Sequence, residues 1–305
     1  MLDAVDAVLV RELHRDGRAT FQALADRVGL SRTAVRARVH HLLETEVVRV
    51  VGVVHPAVVG TGATGHLLVA VDGAAREVAD TVAKRDAVCF TALTVGPHDL
   101  VAQVRARDDD ALAAEVDEIR RAPGVRLAEV VRCVATMRDA HSVVGTLSDV
   151  ILDHVDWRLL RELQRDGRAP YTRLAAIIGL SQAATRARVV RMMRSGVIQI
   201  TGQADPSALG ATEVGGFGLV VSGPVRSVAD TVARQEGVRY VATGFGRYDV
   251  IGEAEARSPR DLVAVLDTVR AVPGVTMRES WHHLDVVKES YAAELPDRLD
   301  GVIQK

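Results

Sequence analysis

At 305 residues, with 48% hydrophobic and 26% charged side chains, the chain has the make-up of folded globular domains, which excludes a disordered polypeptide. A formal net charge of −2 excludes indiscriminate polyanion binding through overall charge, although local patches can depart from the mean. Two cysteines, Cys89 and Cys133, with no CxxC spacing, exclude a disulfide scaffold and a cysteine zinc site.

The acidic start, MLDAVDAV, has no basic segment ahead of an apolar run, so no secretory signal is expected and the cytoplasm is the expected location. The stretch Val50–Val71 lacks Asp, Glu, Lys and Arg, but Pro56, two histidines and four glycines make it two buried strands joined by a loop, not a membrane span.

An offset of 150 positions brings Leu2–Ala19 (LDAVDAVLVRELHRDGRA) onto Leu152–Ala169 (LDHVDWRLLRELQRDGRA). The same offset brings GLSRTAVRARV at Gly29 onto GLSQAATRARV at Gly179, and VADTVAKRDAV at Val78 onto VADTVARQEGV at Val228. That period is too long for a solenoid and predicts a duplicated two-domain unit, with Met137–Ile151 joining the copies.

Leu2, Val5, Leu9 and Leu13 recur at helical spacing, and Asp16-Gly17 supplies a stop, with Gly17 expected in the left-handed conformation. Thr20 then caps a short helix, Phe21–Val28; Pro170 precedes its counterpart, Tyr171–Ile178. Gly29-Leu30-Ser31 and Gly179-Leu180-Ser181 give a sharp turn, a core plug and a cap for a third helix, which is the helix-turn-helix order. The third helix, Arg32–Thr45, buries Val35, Val39 and Leu42 and turns Thr33, Arg36 and His40 outward. From Arg27 to Leu43 there are four arginines and no acid, and from Gly167 to Ala204 six arginines and no acid. Such an acid-free face suits phosphate neutralisation and guanine recognition. The expected DNA contacts are Ser31, Arg32, Thr33, Arg36, Arg38 and His40, and Ser181, Gln182, Arg186, Arg188 and Arg191. Ala183 and Val190 replace Thr33 and His40, so the second copy has fewer groups to read base edges. Glu46 stands where the second copy has Gly196, so the two helix exits are expected to differ.

A Val-rich stretch follows, and then strand, helix, strand, strand, helix, strand: Gly65–Val71, Ala74–Lys84, Val88–Val95, Asp99–Ala106, Asp109–Arg120 and Val125–Thr136. This is the ferredoxin-like order. The sheet face away from the helices is expected to be bare and apolar and to need a second sheet, which the other copy can supply. Cys89 and Cys133 fall on opposite edge strands, which disfavours a disulfide. The turns Val95-Gly96-Pro97-His98-Asp99 and Phe245-Gly246-Arg247-Tyr248-Asp249 are open to two readings: simple hairpin turns, or sites where the polar residue and the Asp bind an amine or cap an amide.

Taken together, LDxxDxxLLRELQRDGR, LAxxxGLSxxxxRARV, Asp205-Pro206…Gly210 and the GxxD turns resemble the leucine-responsive regulator/AsnC family, the feast/famine transcription factors. The resemblance implies an α+β chain in which two winged-type helix-turn-helix domains (1–50 and 151–200) alternate with two ferredoxin-like sensing domains (62–138 and 212–290). It further implies double-stranded DNA as partner, self-association through the sensing-domain sheets into dimers and larger rings, and a small effector, an amino acid. Carried over, the effector contacts are Gly96, His98, Asp99, Gly246, Tyr248 and Asp249, with His98 departing from the usual tyrosine. No cofactor, metal or catalytic residue is expected.

Two other readings stay open. One is a fused siroheme decarboxylase-like enzyme, for which Trp281-His282-His283, His141 and His154 would supply material; the strands DLVAQV and DVIGEA after the GxxD turns lack the tryptophan that reading requires. The other is a sensing protein that has lost DNA binding.

Overall fold

The computed structural model describes residues 2–60, 62–139, 147, 150–204 and 213–289. The Asp205-Pro206…Gly210 linker and His141 lie outside the described residues. In the first repeat the elements run α1 (Ala4–Arg15), α2 (Phe21–Val28), α3 (Arg32–Glu44), β1 (Val48–Val54), β2 (Ala63–Val71), α4 (Ala75–Ala83), β3 (Val88–Val95), β4 (Leu100–Ala106), α5 (Asp109–Arg120) and β5 (Val125–Asp139). The second repeats them as α6 (His154–Arg165), α7 (Tyr171–Ile178), α8 (Gln182–Arg194), β6 (Ile198–Ala204), β7 (Glu213–Val221), α9 (Val225–Ala233), β8 (Val238–Phe245), β9 (Val250–Ala256), α10 (Pro259–Arg270) and β10 (Val275–Glu289). The apolar stretch at Val50–Val71 is two strands joined through a single 3-10 turn, and no helix among the described residues is long and apolar enough to cross a membrane.

By contacts the chain divides into two compact units, one holding both helical heads and the other all of β2–β5 and β7–β10 with their helices. In the helical unit, Leu9, Leu13, Leu24, Val35, Val39 and Leu42 close the core of the first head, and Leu159, Leu163, Leu174, Val189 and Met192 that of the second. Full burial of each such side chain contributes about 1.5–3 kcal/mol. The strand after each third helix does not fold back as a wing of its own head, as the winged expectation required. Instead β1 and β6 pair antiparallel, with the equivalent residues Val51 and Thr201 opposite each other. The strands also cross over: Val50 and Val54 of β1 join the core of the second head, and Ala204 of β6 packs on that of the first. An edge strand with no partner leaves its N–H and C=O groups unpaired, and pairing the two repeats removes that cost.

Gly17 and Gly167 do not take the left-handed conformation expected of them; α1 and α6 end at Asp16 and Asp166 in extended backbone. What these glycines supply is closeness. A Cβ on Gly17 would come within 2.7 Å of Val50, and one on Gly167 within 2.8 Å of Ile200. Gly17 N–H donates to Ile200 O (2.9 Å) and Gly167 N–H to Val50 O (2.8 Å), so each turn is tied to the other repeat's strand.

In the second unit the strand order is β10-β3-β4-β2-β5-β8-β9-β7, closed into a barrel. Each repeat contributes four strands, and the seams are the antiparallel pairs β5–β8 and β10–β3. The faces expected to seek a second sheet therefore meet within one chain. They are not simply apolar. Phe90, Val131, Ala242, Ile251 and Trp281 share the interior with His66, Gln103, Tyr240, Glu253 and His283. His66 Nε2 lies 3.0 Å from the Tyr240 hydroxyl, Cys89 donates to Gln103 Oε1 at 3.2 Å, and Trp281 Nε1 donates to His283 Nε2 at 3.2 Å. Burial holds both histidines neutral, pulling their pKa down to about 3. Burial also pushes the free thiols of Cys89 and Cys133 up to about 11 and about 12, far from the thiolate a reactive cysteine needs.

Candidate nucleic-acid interface and effector turns

The third helix of each head is started by a serine whose hydroxyl oxygen accepts from the backbone three residues on: Ser31 from Ala34 N–H and Ser181 from Ala184 N–H, both at 3.2 Å. The turns before them use Gly29 and Gly179 at φ 68° and 77°. With Val35 and Val39 buried, the opposite side of α3 exposes Arg32, Thr33, Arg36 and His40; three- and four-residue spacing puts Thr33, Arg36 and His40 on one stripe. On α8 Gln182, Ala183 and Arg186 are likewise exposed and Val190 is half-buried.

The acid-free surroundings expected of these arginines hold for only part of the set. Arg38 Nη1 donates to Asp3 (2.6 Å) and Asp6 (2.8 Å) of the first helix. Arg188 makes the same pair of bonds to Asp153 (2.8 Å) and Asp156 (3.0 Å), and Arg191 joins it on Asp156, whose carboxylate is fully buried. The carboxylates 35 or 32 positions upstream were invisible to a count taken along the third helix. Arg38, Arg188 and Arg191 thus clamp the third helix to the first.

The heads are also clamped to each other. Arg18 Nη2 donates to Ala169 O (2.9 Å), and Arg168 donates to Gly17 O (2.8 Å) and Ala19 O (3.1 Å). Arg18 stacks on Tyr171, 4.6 Å from the ring centroid, and Arg168 on Phe21 at 5.2 Å. Glu46 does not change the helix exit: it takes φ 56°, the one non-glycine residue at positive φ among those described, where Gly196 sits at 76°.

In the barrel unit, the aspartates of the two GxxD turns cap amides. Asp99 Oδ2 accepts from Val71 N–H (2.8 Å) and Asp249 Oδ2 from Val221 N–H (2.9 Å), pinning each hairpin to the end of the first strand of its sheet. His98 and Tyr248 are buried and both reach Glu279, His98 Nε2 at 3.2 Å and the Tyr248 hydroxyl as donor. Gly96 and Gly246, at φ 146° and 127°, lie against the neighbouring strands: an added Cβ would be 2.9 Å from Trp281 Cβ or 2.6 Å from Val130 O. Arg247 completes the group, donating to Glu129 and Glu279. Burial alone would raise the Glu279 carboxyl, but the bonds from Arg247 and Tyr248 bring it down to about 2. Glu129, Glu279 and Arg247 were not among the expected site residues. Their one sequence signal was the recurrence of glutamate at both positions of the repeat.

Trp281 and His283 point into the barrel, while His282 turns out and pairs with Glu213 at 2.6 Å. Among the described residues no cluster of His, Cys, Asp or Glu is placed to hold a metal ion.

Known proteins resemble the chain in both kinds of domain. The AsnC-type helix-turn-helix domain matches residues 2–43 and again 152–193, and the Lrp/AsnC ligand binding domain matches residues 67–143. The HTH-type transcriptional regulator FL11 of Pyrococcus abyssi is 31% identical over 150 residues, which are 48% of this chain and 97% of that protein. The HTH-type transcriptional regulator LrpA of Mycobacterium tuberculosis is 48% identical over 67 residues, 22% of this chain and 42% of that one. Among solved structures, the siroheme decarboxylase NirDL superposes with a TM-score of 0.61 at 14% identity, covering 94% of this chain and 93% of its own; that likeness is one of fold. With both heads matched separately and a relative covered over nearly its whole length, the chain belongs to the Lrp/AsnC family of helix-turn-helix transcriptional regulators, duplicated within one polypeptide.

Proposed function

We propose that the chain is a ligand-responsive, DNA-binding transcriptional regulator in which α3 and α8 enter the major groove of a single operator. The observation that carries this reading is the pair of exposed arginines, Arg36 and Arg186, on equivalent helices of two heads clamped together by β1–β6, Arg18 and Arg168. Arg36 sits between Thr33 and His40 and reads base edges; Arg186, between Ala183 and Val190, binds phosphate or guanine with apolar neighbours. Ser31, Arg32, Ser181 and Gln182 approach the backbone at the helix starts, where N–H groups favour anions. Half-sites lie about one helical turn, ~34–36 Å, or a multiple apart, and form an imperfect palindrome because the two faces differ.

The alternation of helix-turn-helix and ferredoxin-like domains along the chain serves this arrangement by bringing like parts together in pairs. The effector, an amino acid, approaches the turns at Gly96, His98, Asp99, Gly246, Tyr248 and Asp249. Because the heads are tied to each other directly, the reading favours effector control of assembly over control of head spacing. Assembly between chains uses apolar side chains left exposed at the barrel seams: Val95 and Leu284 beside β3–β10, and Val134 and Phe245 beside β5–β8, each more than half exposed.

Footprinting on the DNA flanking its own gene, with and without a panel of amino acids, tests the proposal. Protection of two unequal half-sites is the expected result. Equal affinity for that DNA and for unrelated competitor, at several salt concentrations, would sink it.

A further inference from the structure

The clamp between the heads does not end at the backbone. Arg168 of the second repeat is held by two carbonyls of the first head, Gly17 O (2.8 Å) and Ala19 O (3.1 Å), and its guanidinium carbon stands 5.2 Å from the centre of the Phe21 ring. Phe21 opens α2, where the Thr20 hydroxyl caps the helix by accepting from Ala23 N–H (3.1 Å), and it is half-buried against the first head's core. The same ring meets His40 of α3, centroid to centroid at 6.0 Å with the planes 31° apart. Both spacings lie where a cation over a ring and a pair of aromatic rings attract. Three side chains thus run from the second repeat to the outer stripe of α3.

The symmetry-related path ends differently. Arg18 Nη2 donates to Ala169 O (2.9 Å) and the guanidinium stacks on Tyr171 at 4.6 Å, but the residue equivalent to His40 is Val190, which has no ring and no polar group to aim. His40 is exposed, and an exposed side chain that is already ordered before its partner arrives escapes part of the ordering cost of binding. Phe21 supplies the surface that orders His40, and Arg168 restrains Phe21.

We infer that Arg168, acting through Phe21, is a positioning residue for His40, so that a side chain of the second repeat sets how sharply the first head discriminates between bases. The dependence is one-sided, because the path from Arg18 ends at Val190. This inference rests on the reading of His40 as a base contact, and its test separates the two.

The test uses the full chain and the footprinted DNA beside its own gene, with each base pair of both half-sites substituted in turn. Arg168→Gln is expected to reduce discrimination at the half-site under α3 by about two- to fivefold. In a His40→Val background it should cause no further loss. Arg18→Gln loosens the same clamp from the other side and should lower affinity evenly, leaving base preference in place. If Arg168→Gln does not fold, Phe21→Leu, which keeps apolar bulk and removes the shared ring, takes its place. Equal effects of Arg168→Gln and Arg18→Gln on base preference, or an Arg168→Gln effect undiminished by His40→Val, would overturn the inference. Should His40→Val itself leave discrimination unchanged, the base-contact reading of His40 is what fails. The ring-proton resonances of His40 in the free protein then decide the positioning: they should move in Arg168→Gln and stay in Arg18→Gln, and resonances unmoved in both would overturn it.

Discussion

Arg38 of the first repeat and Arg188 of the second hold the same two aspartates of their own first helices, but the stripes beside them have diverged: Thr33 and His40 on one, Ala183 and Val190 on the other. The GxxD turns show the same split. Asp99 and Asp249 cap equivalent amides, whereas Pro97-His98 and Arg247-Tyr248 face the shared carboxylates with different chemistry. Residues that hold the backbone have been kept in step between the repeats, and residues on the outer stripes of the third helices or in the shared barrel interior have not. A duplication within one chain permits this, because the two halves always meet each other and no longer have to fit a copy of themselves.

The comparison can be broken first at the clamps. In the second head, Asp156 is fully buried and served by both Arg188 and Arg191. Removing both arginines (Arg188→Ala with Arg191→Ala) should cost about 3–5 kcal/mol, the usual penalty for a buried charge that loses its countercharges, with only the Asp153 N–H still donating to it. Chemical denaturation would read this as a loss of the midpoint with an unchanged slope. The corresponding Arg38→Ala in the first head, where Asp3 and Arg38 face solvent, should shift the midpoint by less.

The reading faces come next. Arg36→Ala and Arg186→Ala should each weaken operator binding by about 1–3 kcal/mol. Arg36→Ala should also relax base preference at one half-site, and Arg186→Ala should lower affinity more evenly across sequences. Binding isotherms at several salt concentrations, on operator and competitor, separate the two. Unchanged affinity in the double variant would remove the DNA assignment from these helices.

Inside the barrel, Glu253 has Gln103 as its counterpart in the first repeat, a natural neutral control. Burial, outweighing Arg239, raises the Glu253 carboxyl to about 7 from its ordinary 4.5. The folded state thus holds its proton after the unfolded state has released one. The resulting stability is complete below about pH 4.5 and drains away as pH rises to about 7. Glu253→Gln should therefore be more stable than the unaltered protein at pH 8, by about 1–3 kcal/mol, with the gap closing by pH 4. A thermal midpoint profile across pH checks it; a gap that widened toward acid would reverse the assignment.

The smallest effect lies at the helix exits. Glu46 pays for a left-handed conformation that Gly196 adopts freely. Glu46→Gly should stabilise by about 0.5–1 kcal/mol after allowing for the looser unfolded chain, and Gly196→Glu should do the opposite. Calorimetry on the two single variants and on the exchange of both would show whether the exits are interchangeable.

Much of this was legible in the residues. Apolar spacing and cap residues place α2, α7, β3 and α5 where they are found, since helix starts and strand alternation depend on near neighbours in the chain. The exposed faces of α3 and α8 follow from the same spacing, because a helix with one buried stripe turns the opposite stripe outward. Contacts between the repeats were not legible. Nothing local says that Gly17 must make room for Ile200, that β1 crosses to the core of the other head, or that Arg247 lies between Glu129 and Glu279. Sequence periodicity reports which side of an element is buried, and it carries no record of what that side is buried against. For this protein the residues by themselves determined the duplicated frame, the helix-turn-helix and the arginines it displays. The tertiary structure decided the strand exchange, the clamps and the paired carboxylates, because each depends on groups more than 30 positions apart meeting in space.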